Sequence, residues 1–257
     1  MEDKSVTKTN GKSNLPISIS EFEKMGSGFE EATSDSYQIP MLKLLQKMTD
    51  EADSDNPAYI EGAKPGMFMN SVSKDLYDGK GGIKVIPCYY RRMFAEWIPR
   101  DEADGGKLVG MHHPQSDIVQ NAQPSDRNSI NKKFDKNDLI DTRMHFCLLL
   151  ANYELPEPIL LSWSNSALGR SKGWMTRMQN LKLKDNGKMI TAPSFSHIWT
   201  IDSQQESNSK GSWYVPTVKG CEQIKDADLI QAGFKFYETI KSEGDSILAQ
   251  NMDKGNF

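Results

Sequence analysis

The alternation of apolar and polar positions is strongest in the middle of the chain and reads there as β-structure. Ile83 to Ile98, IKVIPCYYRRMFAEWI, is one long strand candidate, and Pro87 inside it marks an edge or a bulge. Met67 to Val72 is a short strand, and Asp78-Gly-Lys-Gly-Gly82 after it is a turn. Thr142 to Tyr153 and Pro158 to Trp163 are two further strands. Phe195 to Asp202 and Ser212 to Val218 form an antiparallel pair joined by the polar stretch Ser203 to Gly211.

Helical periodicity appears in three places. Met41, Leu42, Leu44, Leu45 and Met48 space as one amphipathic helix over 40–48. A second helix spans Ala167 to Lys182, with Ser164 or Asn165 as its cap and Leu168, Met175, Met178 and Leu181 as its buried stripe. A third covers Ala227 to Glu243 behind Asp226, with Ile230, Phe234, Tyr237 and Ile240 along one side. Residues 1–35 are polar and read as a mobile arm with a short helical piece at Ser20–Lys24. Asp50 to Pro57 is a loop, and Asp101 to Asp141 a long polar excursion of the kind that carries function or moves. The expected architecture is mainly β with added helices (α+β): a mobile arm over 1–35, a single β-rich domain over 36–245, and a frayed tail over 246–257.

Composition narrows the class. Hydrophobic residues make up 37% of the chain and charged residues 26%, enough for a folded core with polar loops. No apolar run approaches the roughly 20 residues that span a bilayer. The N-terminus MEDKSVTKTNGKSN has no apolar centre, so it predicts no secretory signal and an intracellular protein. Cys88, Cys147 and Cys221 are scattered and odd in number, which fits a reducing compartment rather than a disulfide framework. Cys88 and Cys147 read as small buried strand residues. No CxxC pair, phosphate loop, nucleophile elbow or HExxH helix occurs, so no cofactor or metal is expected and enzyme readings are weak. A composite zinc site from His112, His113, His145 and Cys147 lacks the usual short paired spacing. Asp135, Asp138 and Asp141 keep open a metal-dependent nuclease only if carboxylates converge from separate elements.

Charge distribution supplies the sharper signal. The chain carries a formal charge of -4, yet Leu161 to Lys184, LSWSNSALGRSKGWMTRMQNLKLK, holds five cations and no carboxylate. Arg170, Arg177 and Lys184, seven apart, are expected on one face. Such a cluster repels itself unless an anion or an acidic loop neutralises it. A solvated helix face, a nucleic-acid contact and an acidic protein partner all remain open for this segment alone.

The second signal is the Tyr89–Trp97 strand. Tyr89, Arg91, Met93, Ala95 and Trp97 share one face, and Tyr90, Arg92, Phe94, Glu96 and Ile98 the other. Neither face is purely core-like. Ordinary sheet aromatics explain such a strand, and so does the lining of an oligonucleotide groove, where cations track phosphates and rings stack on unpaired bases. Taken together, the two segments select Arg91, Arg92, Arg170, Lys172, Arg177 and Lys182 for phosphate contact. They select Tyr89, Tyr90, Trp97 and Trp174 for stacking, at least one of these belonging to the core. Both segments are expected to line one groove.

The ordered runs IPMLKLLQKM, YIEGAKPGMFMNSV, VIPCYYRRMFAEWIPRD with its following glycine pair, and LLSWSNSALGRSKGWMTRM resemble a group of small replication-associated proteins of tailed bacteriophages. Those proteins are generally described as single-stranded DNA-binding, some without an assigned role. The similarity covers Tyr37 to Leu183 by overall pattern. It implies an OB-like antiparallel β-barrel core, coating of single-stranded DNA in phage replication or recombination, contacts with replication or recombination proteins, and residence in the cytoplasm of an infected host. It leaves open a homo-oligomer. The alternative is a phage structural or protein-interaction component. Many single-stranded DNA-binding proteins end in an acidic tail with a terminal hydrophobic residue; here Phe257 fits and the acidity is nearly missing.

Overall fold

The computed structural model describes residues 16–31, 36, 38–127, 129–151, 155–209 and 211–253. The chain divides into two units, 1–37 and 38–257. Within the first, α1 (Ile19–Met25) falls where the short helical piece is expected, and Ser18 caps it reciprocally with Glu21. Residues 1–15 and 32–35 of the expected arm lie outside the described residues, as does Tyr37.

The second unit is mostly β: a strongly curled antiparallel half-barrel with helices, an OB-like α+β fold. Its strands are β1 (Leu42–Leu44), β2 (Phe68–Asn70), β3 (Leu76–Tyr77), β4 (Ile83–Trp97) and β5 (Leu108–His112). Helix α2 (Asp117–Asn121) precedes β6 (Gln123–Pro124), β7 (Lys132–Phe134), β8 (Asn137–Leu149) and β9 (Glu157–Ser164). Then come helix α3 (Leu168–Asn180), the hairpin β10 (Lys182–Asp185) and β11 (Lys188–Thr191), the long hairpin β12 (His197–Asn208) and β13 (Gly211–Gln223), and α4 (Ala227–Asp253).

The spine is the pair β4 and β8, antiparallel from Val85↔Leu149 to Trp97↔Asp138. Pro87 does introduce a bulge: register shifts between Pro87 and Tyr89, leaving Cys88 as the extra residue. Before the bulge, Ile83 and Val85 face a core with Cys147, Leu149, Trp163, Trp174 and Trp199. On the opposite face Ile86, Cys88, Met93, Met144 and Phe146 pack with Phe236 and Ile240 of α4. Both faces of the sheet are thus covered, one by α3 and the other by α4. This explains why β8 reads as a nearly continuous apolar run rather than an alternating one. Burial holds the thiols of Cys88 and Cys147 well above the ordinary cysteine range, so they are inert.

Five expectations are corrected. The 40–48 helix is instead strand β1: Leu42 pairs with Asn70, Met41 bridges Leu160, and the Leu160 N–H donates to the Pro40 carbonyl. A short apolar run takes whichever backbone partners the fold provides, and Met48, which completed the helical spacing, is exposed. The Ser203–Gly211 connection is mostly ladder, because β12 continues to Asn208 and turns directly into β13. The excursion 101–141 holds β5, α2, β6, β7 and the start of β8. Helix α3 ends at Asn180, so Lys182 and Lys184 belong to a hairpin, and neither Ser164 nor Asn165 caps it with a side chain. Helix α4 runs past Gly244 to Asp253, and residues 254–257 lie outside the described residues.

Candidate nucleic-acid interface

β4 is longer than any partner on one of its edges. β12 pairs with Ile83–Val85 and β5 with Phe94–Trp97, while β8 occupies the whole opposite edge. Among the described residues no strand pairs with residues 86–93 between them. The gap is partly faced by the turn Ser194–Ser196, where Ser194 Oγ donates to the Cys88 carbonyl at 3.1 Å.

Two clefts open at this gap and share Tyr89 and Tyr90. One, about 230 Å³, runs between those tyrosines and α3 at Met175, Met178 and Gln179, with Thr191 and Ala192 at its rim. The other, about 370 Å³, is lined by Tyr89, Tyr90, Arg91, Arg92, His113 and Pro114. Arg91 lies 5.8 Å from the Tyr89 ring centroid and Arg92 5.2 Å from that of Phe94.

The arginine side of the gap is rigidly built. Arg92 and Arg143 oppose each other on β4 and β8, and both bind the wholly buried Asp141. Arg92 donates to Asp141 Oδ2 at 2.7 Å, and Arg143 donates to Oδ1 at 2.8 Å and Oδ2 at 3.0 Å. Arg143 also donates to the Tyr90 hydroxyl at 2.8 Å. Burial works against the Arg143 cation, but its bonds to Tyr90 and Asp141 and the Asp141 charge raise its pKa. Two guanidiniums share one carboxylate, so the cluster keeps a net positive charge, and the side chain of Arg92 is 41% exposed. Asp141 is therefore the anchor of both guanidiniums. Among the described residues no group of three or more His, Cys, Asp or Glu side chains could hold a metal ion.

Behind Tyr90 the rings continue inward. His145 sits 5.2 Å from Tyr90, 5.0 Å from Trp163 and 4.7 Å from Trp174 between ring centroids, and its Nε2 lies 2.8 Å from Ser171 Oγ on α3. Burial, aided by the nearby Arg143 charge, pushes the pKa of His145 down to about 3, so it is neutral and structural.

The structure therefore divides the ten selected residues. Tyr89, Tyr90, Arg91 and Arg92 meet at the gap. Trp97 lines a separate cleft of about 530 Å³ with Trp213, Tyr214 and Ser164. Trp174 is 1% exposed in the core between Trp163 and Trp199, so in this arrangement no base can reach it. Arg170 pairs with Glu206 of β12, and Arg177 donates to the carbonyls of Val218 and Lys219 on β13 while lying 4.8 Å from the Trp199 ring centroid. These contacts are how the fold neutralises the self-repelling helix. Lys172 is exposed on α3, and Lys182 stands on the hairpin, donating to Thr191 Oγ1 at 2.7 Å.

The strand and α3 thus share one cleft, at Tyr89, Tyr90, Met175, Met178 and Gln179. The arginines of the helix do not line it and face β12 and β13. Sequence reasoning passed over the hairpin, whose signal was the Asn186-Gly187 pair between two short alternating runs. It weighed His113 only as a zinc ligand and passed over Pro114, which carries no local signal.

No helix among the described residues is long and apolar enough to cross a membrane. No curated protein and no solved structure gives a significant match to the chain. One family model, described as Pam3 phage gp34-like protein, matches residues 8–245. That span takes in most of both units of the chain, and the protein belongs to this phage family.

Proposed function

We propose that the protein is a non-catalytic single-stranded nucleic-acid-binding protein of the phage, acting in replication or recombination, and that it holds the strand at the β4 gap. The observation that carries this reading is the meeting of Tyr89, Tyr90, Arg91 and Arg92 in two clefts that share both tyrosines, on a stretch of β4 left unpaired along one edge. An unpaired base offers a face to a tyrosine, and a phosphate offers charge to the Arg92–Arg143–Asp141 cluster. Stacking of this kind contributes about 1–3 kcal/mol per base without reading sequence. Anchoring by Asp141 fixes Arg92 before the ligand arrives, which lowers the ordering cost of binding. DNA rather than RNA is the substrate suggested by the resemblance of the sequence runs to phage single-stranded DNA-binding proteins.

A fluorescent oligothymidylate titrated with the protein tests this at several salt concentrations. The expected result is binding that favours single over double strands and weakens as salt rises. No binding at low salt overturns the proposal. Degradation of the oligonucleotide in magnesium or manganese overturns its non-catalytic part.

A further inference from the structure

Among the described residues the hairpin β10–β11 pairs with no other strand and forms a two-stranded sheet of its own. Its register, Lys182↔Thr191 to Asp185↔Lys188, closes through Asn186 and Gly187, both at positive φ (48° and 81°). This is the primed turn that suits the twist of a hairpin, so the tip is set by its sequence. The base is tied to α3: the Leu181 N–H donates to Met178, and the Ala192 N–H to Leu181.

Ten residues, 182–191, carry Lys182, Lys184 and Lys188 against the single Asp185, in a chain whose formal charge is -4. All three lysines are exposed. Beside them Met189 is 60% and Ile190 47% exposed. Lys182, Lys184, Lys188 and Ile190 line a cleft of about 440 Å³. Within the hairpin Lys182 donates to Thr191 Oγ1 at 2.7 Å and Lys188 stands opposite Asp185, while Met189 and Ile190 stay bare. An extended polyanion with apolar ring faces, which is a single-stranded nucleic acid, complements both the lysines and the bare apolar side chains.

Position links this hairpin to the gap. β11 ends at Thr191, and Thr191 and Ala192 form the rim of the cleft that contains Tyr89 and Tyr90. The hairpin's base therefore borders the tyrosine cleft, while its lysines line a cleft of their own beside it.

We infer that the β10–β11 hairpin is a phosphate-contacting arm that feeds a nucleic-acid strand into the β4 gap. This rests on the reading of the gap given above. The lysines act through charge alone, so they add to the salt dependence that the Arg92 cluster gives the gap. The tyrosines set the part that salt does not touch.

The test uses the full chain and a fluorescein-labelled oligothymidylate over a salt series. It compares the unaltered protein with Lys182→Glu/Lys184→Glu/Lys188→Glu and with Lys182→Arg/Lys184→Arg/Lys188→Arg. Thermal unfolding serves as the folding control; if the triple glutamate variant is misfolded, Lys184→Gln/Lys188→Gln replaces it. The glutamate variant is expected to bind more weakly and to lower the slope of log affinity against log salt by about 2, from ~0.7 per lost phosphate contact. The arginine variant keeps both affinity and slope. If the unaltered protein binds and the folded variant has an unchanged slope, the arm is overturned and the gap reading stands. If the unaltered protein does not bind at all, both are overturned. Displacement of the oligonucleotide by polyglutamate at equal charge concentration overturns the arm in favour of an acidic protein partner.

Discussion

Helix α3 turns its arginines onto the fold, whereas the hairpin β10–β11 directly after it turns its lysines to solvent. The two segments are contiguous and look alike in composition. Arg170 meets Glu206, and Arg177 occupies the backbone carbonyls of Val218 and Lys219. Lys182, Lys184 and Lys188 stand exposed. The side-chain chemistry suits the division, because a planar guanidinium serves two carbonyls at once and an ammonium remains a hydrated point charge. Cation count therefore says little about a binding surface until the acceptors that the fold itself offers are known.

The strongest way to break this contrast is to attack the inward side. Trp174→Ala empties a buried site between Trp163 and Trp199, and the expected loss is about 3–5 kcal/mol in denaturant unfolding. A loss near zero would place Trp174, and α3 with it, outside the core.

A second break uses pH. His145 is held neutral in the fold at a pKa of about 3, against an ordinary value of 6.5. Between those values the unfolded chain binds a proton that the folded chain refuses, so this contribution to stability is complete above pH 6.5 and is lost as pH falls towards 3. The slope is roughly 1 kcal/mol per pH unit, or about 2 kcal/mol between pH 6 and pH 4. Unfolding curves across that range check it, and His145→Gln should flatten them.

On the open side, Tyr89→Leu keeps apolar bulk but removes the aromatic face. The expected loss in oligonucleotide affinity is about 1–3 kcal/mol, with an unchanged salt slope. A changed slope would mean that Tyr89 acts by placing Arg91 rather than by stacking. The smallest effect is that of Arg177→Gln, which should cost about 1 kcal/mol of stability, since its bonds are charge-assisted but exposed. Oligonucleotide affinity should stay unchanged, and an affinity loss comparable to that of the hairpin variant would erase the contrast between helix and hairpin.

Much of the sheet was legible in the sequence because long alternating or continuous apolar runs have few other solutions. β4, its bulge at Pro87 and the start of α3 follow from such patterns, as does the sharing of faces along Tyr89–Trp97. Leu42–Leu44 was not legible, because the five apolar residues from Met41 to Met48 suit a helix, while pairing with Asn70 and Leu160 decides for a strand. Within the site, Tyr89 to Arg92 could be selected from their composition on one strand. The destination of Arg177 could not, because it depends on carbonyls 41 and 42 residues away. Trp174 looked like a surface ring among cations, yet its position on α3 carries it inward to His145 and Trp163.

The extra residue at Cys88 acts as a phase switch for the chain that follows. Before it, Val85 and Pro87 share a side with Cys147; after it, Tyr90 and Arg92 take that side and Tyr89 and Arg91 the other. Were Cys88 drawn into the ladder instead of bulging out of it, strict alternation would put Tyr89 and Arg91 on the side of Cys147, and Asp141 would lose Arg92 as its partner. Deleting Cys88 outright would remove the extra residue and leave Tyr89 to Trp97 in the register they now hold. The bulge thus absorbs one residue of surplus length so that every position from 89 to 97 keeps its facing.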